Sequence, residues 1–152
     1  MVELSLTGIR IEDVEDPSSE LTWREFEELV ERIFVSFGFT TKRNYRLKKP
    51  TAEIDILAIK SGLAFVIDCK HWKRTVGSAV MLRVSEKQVE RAKRMLTLEE
   101  VQKVIPSVIT LRDEFLQILD NGTPVVPIHK ISDFILNWES EPRITVFDKH
   151  SQ

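Results

Sequence analysis

The chain has 152 residues, of which 42% are hydrophobic and 30% charged, and its net charge is −2. This length suits one domain with a substantial core, so we expect a single domain over residues 1–152. The one cysteine, Cys69, excludes an internal disulfide framework, and with three scattered histidines it shows no zinc-ligand spacing. No apolar run approaches the ~20 residues of a membrane span, and the first residues lack a signal-peptide pattern. We therefore expect a cytoplasmic protein without membrane association.

The charges are distributed unevenly along the chain. Residues 1–37 contain ten acidic and three basic residues, a net charge of −7, and residues 97–152 contain nine and five, a net charge of −4. Residues 38–96 contain five acidic and fourteen basic residues, a net charge of +9. A localised positive region indicates a surface for a polyanion. A solvated face balanced by the acidic ends would have the same composition.

The first predicted elements are an acidic extension and a helix. Residues 1–20 contain apolar residues at positions 2, 4 and 6, a pattern that would suit a short edge strand. Thr22 and Glu25 form a capping-box pattern, and apolar residues at helical spacing follow. Gly38 is suited to end that helix. The sequence therefore predicts a helix from about Trp23 to Phe37.

Two strongly apolar runs flank a predicted turn in the basic region. The runs Ile54–Ile59 and Leu63–Ile67 surround Ser61-Gly62, and a two-residue turn there predicts a β-hairpin. This register places Asp55 directly across from Asp68. Like charges in that position are destabilising unless another charge compensates them.

These two carboxylates predict a metal site. A divalent cation would compensate them, since hard ions such as Mg2+ prefer oxygen ligands. Lys70 projects from the same strand face as Asp68, whereas Cys69 points to the other face. In an alternative interpretation, Asp55 is hydrogen-bonded to the backbone and Asp68–Lys70 is an ordinary exposed ion pair. The apolar flanks favour the site, because unpaired buried carboxylates are costly.

The remaining elements predict a mixed sheet that helices cover on both faces. A strand is expected at Phe39–Leu47, before the hairpin. A helix from about Ser78 to Met95 is expected to turn six apolar residues inward: Val80, Leu82, Val84, Val89, Ala92 and Leu96. The later predictions are a strand at Ser107–Leu111, a helix at Arg112–Leu119, a turn at Asp120-Asn121-Gly122, a strand at Val125–Ile128, a helix at Lys130–Trp138 and an edge strand at Arg143–Phe147.

This order of elements and its motifs resemble the catalytic core of the restriction-endonuclease-like, or PD-(D/E)xK, nucleases. The motifs are Arg24-Glu25-Phe26-Glu27-Glu28-Leu29-Val30, Phe37-Gly38-Phe39, Glu53-Ile54-Asp55-Ile56 and Asp68-Cys69-Lys70-His71-Trp72. They are most similar to those of Mrr-type restriction endonucleases and archaeal Holliday junction resolvases. The resemblance implies an α/β fold in the order α-β-β-β-α-β, with a central mixed sheet flanked by helices. Residues 21–96 would form the catalytic core, and residues 97–152 would complete the sheet.

The resemblance also implies roles for single residues. Asp55 matches the metal-binding aspartate, and Asp68 and Lys70 match the acid-x-lysine motif, with Asp68 in place of the commoner glutamate. Glu27 matches the helix glutamate that holds a further metal ion or water, and the backbone carbonyl of Cys69 is expected to be another metal ligand. Basic residues expected to contact DNA phosphates are Lys42, Arg43, Arg46, Lys48, Lys73 and Arg74. Further candidate site residues are Gln88, His71 and Trp72.

The expected function is that of a Mrr-type DNA endonuclease that depends on Mg2+, with Mn2+ as an alternative ion. A structure-selective Holliday junction resolvase would share every catalytic residue. A nuclease-fold module that binds DNA or a protein without cutting is a further alternative. The resemblance suggests a homodimer, and the small size of the chain suggests that sequence specificity either comes from a separate partner protein or is absent.

Overall fold

The computed structural model describes residues 3–4, 9–10, 22–72, 76–111 and 114–150. Its helices are α1 (Trp23–Ser36), α2 (Ser78–Arg94) and α3 (Ile131–Asn137). Its strands are β1 (Glu3–Leu4), β2 (Ile9–Arg10), β3 (Thr40–Leu47), β4 (Ala52–Lys60), β5 (Leu63–Lys70), β6 (Lys103–Thr110), β7 (Gln117–Ile118), β8 (Pro124–Pro127) and β9 (Phe147–Asp148). Within these residues, no helix has the length and apolar character needed to cross a membrane.

The central sheet is mixed. In the described part of the chain it has seven strands, in the order β3-β4-β5-β6-β8-β7, with β9 also beside β6. Strand β4 is antiparallel to both of its neighbours, β3 and β5, whereas β5, β6 and β8 run parallel. The predicted fold class is confirmed. Strands β1 and β2 form a separate antiparallel pair, and positions 2 and 6 of the predicted edge strand lie outside the described residues.

Helix α1 begins and ends where local sequence signals predict. The Thr22 hydroxyl accepts a 3.1 Å hydrogen bond from the Glu25 N–H, and the Glu25 carboxylate accepts one from the Thr22 N–H. This capping box satisfies N–H groups that have no partner inside the helix. Gly38, with φ of +92°, follows the last turn in a conformation that suits glycine.

The core has two main parts, one on each side of the sheet. The larger joins α1 and α3 to one face, with Phe65 at its centre. The Phe65 ring lies 5.5 Å from that of Phe34 on α1 and 5.6 Å from that of Phe134 on α3. On the other face, Leu57 and Val66 lie in a cluster with residues of α2 and the turn after it. The molecule is therefore a three-layer α/β arrangement.

The inward face of α2 differs from the prediction. Its buried residues are Met81, Ser85, Gln88 and Ala92, whereas Val80 and Leu82 are exposed. Because two of these four buried residues are polar, the buried face of α2 does not appear as an apolar period in the sequence. Each donates a hydrogen bond: the Ser85 hydroxyl donates to the Leu82 carbonyl, and the Gln88 amide N–H donates to a strand carbonyl, while the Gln88 side-chain oxygen has no partner among the described residues.

The second half of the chain departs from the predicted boundaries. Strand β6 begins at Lys103, and Pro106 lies inside it rather than before it. On the side of β6 away from β5, β9 pairs with β6 only at positions 103–104 and β8 only from position 108, so neither strand pairs with Pro106. The predicted helix at Arg112–Leu119 is wrong, because residues 114–119 contain β7 and no helix; residues 112–113 lie outside the described part.

The predicted edge strand near the end of the chain is shorter than expected. Within the predicted strand at 143–147 and the residue after it, only Phe147 and Asp148, which form β9, pair with β6. Before it, the Thr145 N–H donates to the Gly122 carbonyl and the Thr145 hydroxyl donates to the Asn121 carbonyl. Thr145 therefore bonds to the predicted turn at 120–122, which is present, instead of joining the sheet.

Candidate active site

The β4–β5 hairpin has the predicted register. Its pairs run from Lys60–Leu63 to Ile56–Ile67, as a two-residue turn requires. Ser61 and Gly62 have φ values of +50° and +83°, the positive angles that such a turn needs at both positions. Asp55 and Asp68 are the residues that immediately follow the last of these pairs. The hairpin therefore ends in two neighbouring carboxylates.

The strand that carries Asp55 is irregular at that residue. Ile56 packs into the core beneath α1, whereas Ile54 packs into the core beneath α2. Residues two apart in a regular strand would share a face. Asn44, opposite Asp55 on β3, has a φ of +52°, so the neighbouring strand is distorted at the same level. The local sequence gave no signal for this distortion beyond an asparagine, which tolerates positive φ.

The carboxylate of Asp55 reaches across to the backbone of β5. Its Oδ2 atom accepts a 2.8 Å hydrogen bond from the N–H of Cys69. Burial raises the pKa of Asp55 to about 7, the Asp68 carboxylate is the second cause, and Glu27 makes a smaller contribution. The hydrogen bond from the Cys69 N–H lowers the pKa of Asp55. Burial and the neighbouring carboxylates therefore both disfavour the ionised form of Asp55.

Lys70 is the cation closest to Asp68 along the strand. Its Nζ lies 3.2 Å from Asp68 Oδ2 and 5.9 Å from the ring centre of Trp72. Between them, Cys69 is fully buried in the core beneath α1, as alternation predicts. Burial raises the pKa of the Cys69 thiol well above its usual value, so this sulfur is a packed apolar group rather than a nucleophile.

Glu27 of α1 is buried, with an exposed fraction of 4%. Its Oε2 accepts a 2.5 Å hydrogen bond from the indole N–H of Trp23, and its Oε1 lies 3.6 Å from Arg43 Nη2. Sequence reasoning did not single out Trp23. The signal was present, because a donor four residues before a helix glutamate shares its face.

The carboxylate pair has the chemistry of a divalent-cation site. Within residues 22–72, 76–111 and 114–150, no three His, Cys, Asp or Glu side chains are grouped so as to hold one. Asp55 and Asp68 nevertheless form an adjacent pair of carboxylates, and oxygen donors of this kind are what a hard divalent ion needs. The pair fits such an ion, while Glu27 points its oxygens at Trp23 and Arg43.

The expected phosphate contacts differ in how they are placed. Arg46 is the most open, with 82% of its side chain exposed and Glu53 3.8 Å away. Lys48 is exposed, and Lys42 lies 3.7 Å from Glu100. Arg43 instead lies against three carboxylates of α1, those of Glu27, Glu28 and Glu31. Lys73 and Arg74 lie outside the described residues.

The three further candidates lie in different surroundings. Gln88 is buried between α2 and the sheet, and its amide donates a 2.6 Å hydrogen bond to the carbonyl of Val66. The ring of His71 packs against α1. Trp72 is half-buried against the small core around Met81. Gln88 therefore bonds to the backbone of the strand that carries Asp68, at Val66.

The mixed sheet and the helices that cover it are those of the restriction-endonuclease-like class of fold. The family model Mrr_cat, described as "Restriction endonuclease", matches residues 18–110, more than half of the chain. The chain belongs to this family.

Two further comparisons add little to this assignment. No curated protein matches the chain. A solved structure described as "Crystal Structure of Protein of Unknown Function AF1548" is similar, with 18% sequence identity and a TM-score of 0.41. The similarity covers 72% of this chain and 54% of the other, so this chain spans about half the length of that protein.

Proposed function

We propose that this domain is a Mg2+-dependent endonuclease that hydrolyses phosphodiester bonds in DNA. The observation that carries the proposal is the adjacency of Asp55 and Asp68, with the Lys70 ammonium 3.2 Å from Asp68. Held by Asp55, Asp68 and the backbone carbonyl of Cys69, Mg2+ or Mn2+ would supply a Lewis acid for the phosphate and an acidified water. A Mrr-type activity is the specific form that the family membership supports.

The side chains of the site have separate roles in this proposal. Asp55 must lose its proton to act as a ligand, and the Cys69 N–H fixes one of its oxygens in place. Lys70 donates hydrogen bonds toward the phosphate oxygens and stabilises the negative charge that develops on phosphorus. Glu27 holds a water or a second ion from the side of α1. The thiol of Cys69 takes no part.

DNA is the proposed substrate because exposed basic residues lie on β3 and the loop after it. The side chains of Arg46 and Lys48 are exposed and can bind phosphates. Phosphate contacts by Lys73 and Arg74 remain predictions. Such contacts would make the affinity depend steeply on salt. We further propose that the chain forms a single domain, is a homodimer and lies in the cytoplasm. A partner protein would supply its specificity.

Cleavage of supercoiled plasmid and of a synthetic four-way junction tests the proposal directly. Both substrates would be incubated with Mg2+, with Mn2+ and with EDTA. Asp68→Ala is the test variant, and Asp133→Ala, at an exposed position of α3, is the matched control. Metal-dependent cleavage that only Asp68→Ala loses supports the proposal.

The other outcomes point to other functions. Cleavage confined to the junction would assign a resolvase. Salt-sensitive DNA binding without cleavage under any of the metal conditions would overturn the enzyme assignment in favour of a binding module.

A further inference from the structure

The N-terminal turn of α1 places an aromatic donor beside the buried glutamate. Trp23 and Glu27 are four residues apart and therefore share a helix face. The indole N–H donates to Glu27 Oε2 at 2.5 Å. Trp23 is itself 45% exposed, whereas Glu27 is 4% exposed. A buried carboxylate thus receives a directed hydrogen bond from a side chain at the rim of the site.

The other oxygen of Glu27 faces a cation that it shares with other acids. Arg43 Nη2 lies 3.6 Å from Glu27 Oε1, while Arg43 Nη1 lies 3.7 Å from Glu28 and 4.0 Å from Glu31. A guanidinium divided among three carboxylates neutralises charge without selecting one orientation of Glu27. The directional contact comes from Trp23. Each carboxylate oxygen has a second lone pair with which it can bind a water or an ion.

Trp23 also contacts the end of the catalytic strand. Its ring centre lies 6.1 Å from that of His71, and the His71 ring lies 5.7 Å from that of Phe26. His71 follows Lys70 directly in the chain. One indole ring therefore links the helix that carries Glu27 to the segment that carries Asp68 and Lys70.

We propose that Trp23 is a positioning residue, whose indole N–H holds the Glu27 carboxylate in the orientation in which it binds a water of the divalent cation that Asp55 and Asp68 would hold. This inference rests on the proposed function, because it concerns the same site. It assigns no chemistry to Trp23 itself. The residue acts through Glu27, and removing the N–H while keeping an aromatic ring should be enough to disturb the site.

Mn2+ binding in the absence of DNA provides a readout independent of cleavage. Trp23→Phe keeps a ring against His71 and removes the donor. We expect it to weaken Mn2+ binding by the full chain about 10- to 100-fold, as loss of a group that orients a ligand typically does. Trp138→Phe is the matched control, since Trp138 packs on Phe65 in the core beneath α3. Its Mn2+ affinity should equal that of the wild type.

A double-mutant cycle tests whether Trp23 acts through Glu27. Glu27→Gln should also weaken Mn2+ binding, and Trp23→Phe should have no further effect in that background. Additive losses would overturn the proposal, as would an unchanged affinity in Trp23→Phe. Replacing Trp23 by benzothienylalanine, which exchanges the N–H for sulfur at nearly the same shape, checks that any loss comes from the donor. Wild-type affinity in that variant would equally overturn the proposal.

The failure of this inference can be distinguished from failure of the proposed function. If Asp55→Asn abolishes cleavage and Trp23→Phe leaves Mn2+ affinity unchanged, the inference fails alone. If Mn2+ binding shows the coupling but the wild type cuts no DNA, only the proposed endonuclease function fails. A wild-type chain that binds no Mn2+ overturns both.

Discussion

The backbone N–H of Cys69 and the carboxylate of Asp55 are joined by a 2.8 Å hydrogen bond across the end of the β4–β5 hairpin. This bond connects the middle residue of Asp68-Cys69-Lys70 to the acid on the neighbouring strand. The Asp55 carboxylate is therefore tied to the backbone of β5 next to Asp68. Substitutions that keep an acceptor at position 55 should preserve the fold while changing the chemistry.

Asp55→Asn is such a substitution. The amide oxygen can still accept from Cys69, but the negative charge is lost. We expect cleavage of plasmid DNA to fall by at least about a hundredfold, while DNA affinity stays within about a factor of three of the wild type. Lys70→Ala should have the same effects on cleavage and on DNA affinity. Single-turnover cleavage and fluorescence anisotropy measure the two quantities, and full activity in either variant would refute the site assignment.

The raised pKa of Asp55 predicts how the metal-free protein responds to pH. The folded state holds the proton up to about pH 7, whereas an unfolded aspartate releases it near pH 4. The stabilisation from this group is therefore fully present below about pH 4 and is lost as the pH rises to about 7. We expect Asp55→Asn to be more stable than the wild type at pH 8 in EDTA, by on the order of 2 kcal/mol.

Urea unfolding at pH 5 and pH 8 measures this effect. The advantage of Asp55→Asn over the wild type should shrink at pH 5, where Asp55 is protonated. Asp133→Asn, at an exposed position, should leave the profile unchanged. An identical stability of Asp55→Asn and wild type at pH 8 would contradict the electrostatic description.

Substitution of Arg46 should change DNA binding, whereas substitution of Arg43 should change stability. Arg46 is largely exposed, so Arg46→Ala should weaken binding to all duplexes and reduce the salt slope by about one, with little change in unfolding. Arg43→Ala leaves the buried Glu27 without its nearest described cation, so it should lower the free energy of unfolding by about 1–3 kcal/mol. Salt titrations and urea unfolding of both variants test this contrast, which the reverse pattern would disprove.

Gln88→Met tests whether the buried glutamine belongs to the site. The change keeps the volume but removes the hydrogen bond to the Val66 carbonyl. We expect unfolding to become easier by about 1–3 kcal/mol, with Mn2+ affinity unchanged. If instead cleavage were lost with stability intact, Gln88 would act on the reaction and not on the packing of α2.

The features that could be predicted from the sequence are those that local chemistry determines. The capping box at Thr22 fixes the start of α1, and Ser61-Gly62 fixes the hairpin register that brings Asp55 next to Asp68. Both signals act over a few residues and need no knowledge of the rest of the fold. The resemblance to known nucleases then supplied the roles.

Other features depend on contacts between distant segments. Pro106 sits within β6 only because neither β8 nor β9 pairs with it there. Ser85 and Gln88 face inward on α2 because hydrogen bonds offset their burial, which apolar periodicity does not register. The distortion at Asn44 arises where β3 and β4 change faces together. None of these arrangements leaves a pattern in nearby residues.

Strand β5 lies in the interior of the sheet, with β4 bonded along one side and β6 along the other. Its pairing with β6 extends through Lys70, so the acid-x-lysine segment is held by a parallel ladder to its last residue. Opening residues 63–67 requires breaking hydrogen bonds on both sides, and their amide hydrogens should be among the slowest to exchange with solvent. The segment that carries Asp68 and Lys70 directly continues this protected strand and is anchored through β6, so differences in the DNA that such domains accept would arise in the elements around it.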